Sequence, residues 1–116
     1  MKDWTAIRER YLRDSVPVRL GGLAANLRRI KSFAGHEANV AVVESLLDES
    51  KFFIEWTARE AEVDTAAELV ELQIQIAFWQ RTWATIWNDP IQRQQIAEQS
   101  LVWSDRVLDM SGLLND

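Results

Sequence analysis

The chain has no cysteine, one histidine and two prolines in 116 residues, and each scarcity removes a class of chemistry or structure. Without cysteine there can be no disulfide, no thiolate zinc site and no cysteine nucleophile. The one histidine opens the stretch His36-Glu37-Ala38-Asn39-Val40. That stretch begins like the zinc pattern His-Glu-x-x-His, but Val40 stands where the second ligand belongs. A single imidazole cannot complete a histidine-based zinc centre or the two Glu-x-x-His motifs of a di-iron bundle. Ser15, Ser32 and Ser45 would all need His36 as their base, so triad catalysis has no support either. No metal, no cofactor and no catalytic residue is expected.

Other absences point the same way. No window approaches 18 consecutive apolar residues, so no membrane span is expected. The stretch Met1-Lys2-Asp3-Trp4-Thr5-Ala6-Ile7-Arg8 lacks the apolar centre of a secretory leader, and a cytoplasmic location is the expectation. Gly21-Gly22 stands alone and is not a phosphate- or dinucleotide-binding loop. Alternating apolar and polar runs are missing, as are Asn-Gly and Asp-Gly hairpin turns. What remains is helix.

Apolar residues make up 47% of the sequence, enough to build a core, and the length supports residues 1–116 as one domain. The apolar residues recur at spacings of three and four. Leu20, Leu23, Leu27, Ile30 and Ala34 form one such series, interrupted by the small residues Gly21, Gly22, Ala24 and Ala25, which suit a closely packed neighbour. A second helix is expected from about Glu37 to Ala61, with Val40, Val43, Leu47, Ile54 and Ala61 on its main face. Ser50 and Thr57 share that face and can return hydroxyl bonds to the preceding turn. Leu69, Leu72, Ile76, Trp79, Trp83 and Trp87 predict one helix from Thr65 to Trp87, around which the rest of the chain would be organised. Val70, Ile74 and Phe78 form a row beside it, so this helix should be buried on more than one side. Ile96, Ser100, Trp103, Val107, Met110 and Leu114 mark a last helix.

Boundary signals agree with this division. Asp3 can cap a short helix from Trp4 to about Arg13, and Asp14-Ser15-Val16-Pro17 ends it. Gly35 suits a helix C-terminus, while Gly112 predicts fraying near the end. Thr65 and Glu68 have the spacing of a capping box. Asp89, Pro90 and Gln92 form a start signal for the last helix. Short connections favour antiparallel neighbours. The expected fold is all-α: an up-and-down four-helix bundle with an additional short N-terminal helix.

Charge is unevenly spread. Residues 1–35 hold eight Lys or Arg and three acids, while residues 36–116 hold five basic and fifteen acidic residues. Arg8, Arg10, Arg13, Arg19, Arg28 and Arg29 are the candidate basic patch. No helix-turn-helix or other recognition motif accompanies them, and the net charge of −5 opposes nucleic acid. Complementarity with acidic helices of the same fold, or of a second copy, is the plainer reading. Glu60, Glu62 and Asp64 form an acidic corner, and Glu44, Asp48 and Glu55 a row along one helix. Either could receive Arg partners, and Arg81, turned away from the Trp row, could meet a neighbour's acid.

Six tryptophans are the most unusual feature. Trp56, Trp79, Trp83, Trp87 and Trp103 are candidates for core, for a subunit interface or for a ligand pocket. The expected function is a non-enzymatic helical interaction protein that binds itself or another protein through part of this Trp-bearing surface. The alternative is a binding module for an apolar or pigment-like small molecule in a Trp-lined cavity.

Four stretches in order carry a resemblance: Trp4; Arg8-Glu9-Arg10-Tyr11-Leu12-Arg13-Asp14; Gly21-Gly22-Leu23-Ala24-Ala25-Asn26-Leu27; and Glu49-Ser50-Lys51-Phe52-Phe53-Ile54-Glu55-Trp56. Over residues 4–56 the chain resembles small uncharacterised proteins of cyanobacteria. The resemblance implies a cytoplasmic bacterial protein and brings no functional residue with it.

Overall fold

Leu20, Leu23, Leu27, Ile30 and Ala34, the series spaced by three and four, are all buried in the computed structural model, which describes residues 2–114. They line one face of α2 (Val16–Phe33), which follows the short α1 (Trp4–Leu12). A 3₁₀ turn, Glu37–Asn39, leads into α3 (Val40–Ala58). Then come α4 (Val63–Arg81), α5 (Trp83–Trp87) and α6 (Pro90–Ser111). Helices take up 84% of the described chain and no strand occurs among the described residues, which establishes the all-α class.

The most intimate pair is α2 with α6, not any pair involving the stretch 65–87. Small side chains explain the close approach, because the distance between helix axes follows the side chains at the contact. Ala24 on α2 and Ala97, Ser100, Ser104 and Ser111 on α6 are all buried. The Ser104 hydroxyl donates to the Ala24 carbonyl at 2.8 Å, so the two backbones lie within one side chain's reach. Ala25 faces solvent. α3 packs on α2, and α4 packs on α3. α4 meets α6 mainly through long side chains: the Arg106 guanidinium donates to Glu68 at 2.6 Å. A single core cluster, including Val43, Leu47, Ile54, Leu69, Leu72, Ile76, Ile96 and Val107, runs through the fold.

Helix boundaries correct several expectations. The stretch 65–87 is two helices. Thr82 leaves helical geometry (φ −104°, ψ 16°), and its hydroxyl donates to the Phe78 carbonyl at 2.9 Å, closing α4 before α5 begins. α4 also starts at Val63 with Glu62 at the N-cap, so Thr65 and Glu68 lie inside it and form no capping box. Glu68 turns to Arg106 instead. Asp3 and Asp89 do cap α1 and α6, accepting from the Ala6 and Ile91 amides at 3.1 and 2.9 Å. The Gln92 side chain and the Ile91 amide hold the Asp89 carboxyl below the usual range. α2 ends on Ala34 in ordinary helical geometry, and Gly35 takes no left-handed conformation. Gly112 does (φ 74°), as the C-cap of α6, so it stops that helix cleanly. Ser50 is buried without a hydrogen-bond partner, and Thr57 bonds to Tyr11 rather than to its own helix.

Candidate functional site

α4 is apolar on two opposite faces, and only one of them is covered. Leu69, Leu72, Ile76 and Trp79 point into the core with 0, 0, 0 and 6% exposure. At 100° per residue, Val63, Val70, Ile74 and Phe78 fall on the far side of the same helix. They are 84, 46, 64 and 58% exposed. The expectation that the row of Val70, Ile74 and Phe78 is buried is therefore overturned: α4 rests on α3, and its outward side is exposed among the described residues. Ala67 and Ala77 extend the face, and both are exposed. No charged residue interrupts it between Val63 and Phe78. Asp64, Glu68 and Glu71 lie to one side, and Arg81 follows the last apolar position.

The tryptophans are dispersed. Trp79, Trp87 and Trp103 are buried at 6, 4 and 6% exposure, which places them in the core of a single chain. Trp56 and Trp83 are half-buried and keep some ring surface toward solvent. Trp83 and Trp87, one turn apart on α5, stack on each other, centroids 4.9 Å apart. Both indole N–H groups are used internally. Trp83 donates to Glu44 at 2.6 Å, and Trp87 donates to the Glu37 carbonyl at 3.0 Å. The Arg93 guanidinium lies 5.6 Å from the centre of the Trp87 ring, and that of Arg106 lies 4.0 Å from the centre of Trp103. Trp56 belongs to a separate aromatic group with Phe52, Phe53 and Tyr11.

No cleft described here gathers several tryptophans. One of about 280 Å³ has Trp83 as its single aromatic, beside Glu44, Leu47, Asp48 and Gln80. Its polar groups satisfy one another, since Gln80 donates to Asp48 at 2.8 Å while Trp83 holds Glu44. A second cleft, of about 210 Å³ between α4 and α6, has Trp79, Phe78, Ile86 and Ile96 beside the amides of Gln75, Gln92, Gln95 and Gln99. A third, of about 330 Å³, sets Trp56 among Arg8, Arg59, Glu55 and Glu60. Each of these linings mixes apolar side chains with charged or amide groups.

The basic candidates divide as well. Arg8, Arg10, Arg13, Arg28 and Arg29 are exposed. Arg28 sits 3.8 Å from Asp105, and Arg29 donates to Asn26 at 2.9 Å. Arg19 does not belong with them. It is 7% exposed, and its guanidinium donates to the Asp14 and Leu12 carbonyls at 2.9 and 3.1 Å and pairs with Glu60. It closes the turn between α1 and α2, a role its position just after Pro17 did not disclose. His36 is an exposed cap of the 3₁₀ turn. No helix among the described residues is long and apolar enough to cross a membrane.

No family model, no curated protein and no solved structure matches the chain.

Proposed function

We propose that this is a non-enzymatic helical interaction protein that self-associates, its four long helices forming an up-and-down bundle with the two short ones at its ends. The observation that carries this reading is the outward face of α4. Four large apolar side chains stand uncovered in one row along α4, whereas the other exposed large apolar residues, such as Ile91 and Val102, lie on other elements. A contiguous exposed apolar patch of this size is often functional. The reading keeps the expected self-association but moves the contact from the tryptophans to Val63, Val70, Ile74 and Phe78, because Trp79, Trp87 and Trp103 are buried and Trp83 and Trp87 use their N–H groups inside the chain.

Light scattering during gel filtration tests the proposal. The unmodified chain should elute above the monomer mass of 13.4 kDa and shift toward it on dilution. Ile74→Glu, a change at an exposed position, should elute as monomer with its helix content intact. A chain that is monomeric at every concentration would refute the reading.

A further inference from the structure

We infer that the contact is an antiparallel pairing of α4 with α4 of a second copy across a two-fold axis, an arrangement that rests on the self-association proposed above. The charge pattern of the helix selects the direction. Its first half carries Asp64, Glu68 and Glu71, and its second half carries Arg81 and no acid, only Gln73, Gln75 and Gln80 between. Glu68 and Glu71 already face Arg106 of their own chain, so a parallel pair would set Asp64 against Asp64 and Arg81 against Arg81. An antiparallel pair sets Arg81 of each copy against the Glu62–Asp64 end of the other. Among the described residues neither Arg81 nor Asp64 enters an ion pair, so both are available. Antiparallel packing also opposes the two helix dipoles favourably.

Shape supports the same register. With the axis passing near residue 72, Val70 falls opposite Ile74 of the second copy. Phe78, the largest exposed residue of the row, falls opposite the small pair Ala66 and Ala67. A large side chain against small ones lets two helices close to normal packing distance. A two-fold contact is self-complementary, so each of these pairings occurs twice.

The area is consistent with a reversible dimer. The four apolar side chains present a patch on the order of 500 Å², at the upper end of what a typical monomer exposes. Two such patches with their flanking residues bury about 1,000–1,200 Å², the lower edge of specific interfaces. The dimer should therefore dissociate on dilution.

A charge-swap experiment on the full chain tests the direction. Dimer dissociation constants are measured by sedimentation equilibrium for the unmodified chain, Arg81→Asp, Asp64→Arg and the double variant. Each single reversal puts two like-charged contacts into an antiparallel dimer and should weaken it about tenfold, with the double variant returning to within about threefold of the parent. Both positions, Arg81 and Asp64, are exposed, so folding is preserved. Single variants that leave the dimer unchanged or tighten it, or a double variant that fails to recover, would overturn the antiparallel pairing. A dimer that also survives Ile74→Glu would overturn the α4 face while leaving self-association standing. A monomeric parent chain would overturn both.

Discussion

The Tyr11 hydroxyl donates to the Arg19 carbonyl at 2.9 Å, and the Arg19 side chain reaches back to the Leu12 carbonyl beside that tyrosine at 3.1 Å. The two residues lock α1 onto α2 from both directions. A phenol has one proton, so with that proton given to Arg19 the Thr57 hydroxyl, 3.0 Å away, must donate to Tyr11. Phe53 stacks on the ring, centroids 3.9 Å apart. The lock thus ties α1, α2 and α3 together at one end of the fold.

Burial pushes the Tyr11 phenol up to about 12, the Thr57 hydrogen bond and the Arg19 charge offsetting only part of the rise. The unfolded chain ionises this group near pH 10, so between about pH 10 and 12 the unfolded state has lost a proton that the folded state keeps. Stability from this source is intact below pH 10 and falls by roughly 2–3 kcal/mol as pH approaches 12. Tyr11 is the sole tyrosine, so tyrosinate absorbance reports it alone. Ionisation at an ordinary tyrosine pH would contradict the lock. Tyr11→Phe should remove the alkaline step and cost about 1–3 kcal/mol at neutral pH, read by urea unfolding.

Arg19 should be more sensitive than any other arginine of the N-terminal region. Arg19→Met strips the Leu12 and Asp14 carbonyls of a charged donor and should cost about 2–3 kcal/mol. Arg10→Met and Arg13→Met, at exposed positions, should each change stability by less than about 0.5 kcal/mol. Equal effects at all three would mean that Arg19 is not the closing residue of the α1–α2 turn.

Ser50 and Ser100 are fully buried with hydroxyls that find no partner. A buried unsatisfied hydroxyl is a cost that alanine removes with little change of volume. Ser50→Ala and Ser100→Ala should each be neutral or stabilising by up to about 1 kcal/mol in thermal unfolding. Ser104→Ala, which breaks the 2.8 Å bond to Ala24, should instead destabilise.

Gly21 and Gly22 sit within α2, where glycine costs about 1 kcal/mol relative to alanine. A Cβ at Gly21 would meet only Leu113 Cδ1, at 2.8 Å, the free end of an exposed side chain. At Gly22 the nearest contact is the Tyr11 ring at 3.8 Å. Both Gly→Ala changes should raise the melting temperature. A loss at Gly21 would show that Leu113 is held in place.

These particulars explain what could be read from the sequence. The face of α2 was legible in full, because Leu20 to Ala34 repeat at helical spacing and every one of them meets a neighbour. The caps at Asp3 and Asp89 were legible because they act within one turn of themselves. The split at Thr82 was not, since Trp79, Trp83 and Trp87 continue a helical period across it. A period of four survives a local change of backbone direction, here accompanied by the hydroxyl bond from Thr82 to Phe78. The rows of α4 were visible too, but periodicity gives angles around an axis and not the neighbours that cover them. Apolar residues on both sides of the helix read as burial on both sides, and the position of α4 at the edge of the fold leaves the outward row exposed.

Native mass spectrometry of the unmodified chain over a series of concentrations tests the central claim most directly. Self-association through α4 predicts a species at twice 13.4 kDa whose share grows with concentration and which carries no added mass. A 13.4 kDa species at every concentration, bare or bearing a reproducible small adduct, would contradict it.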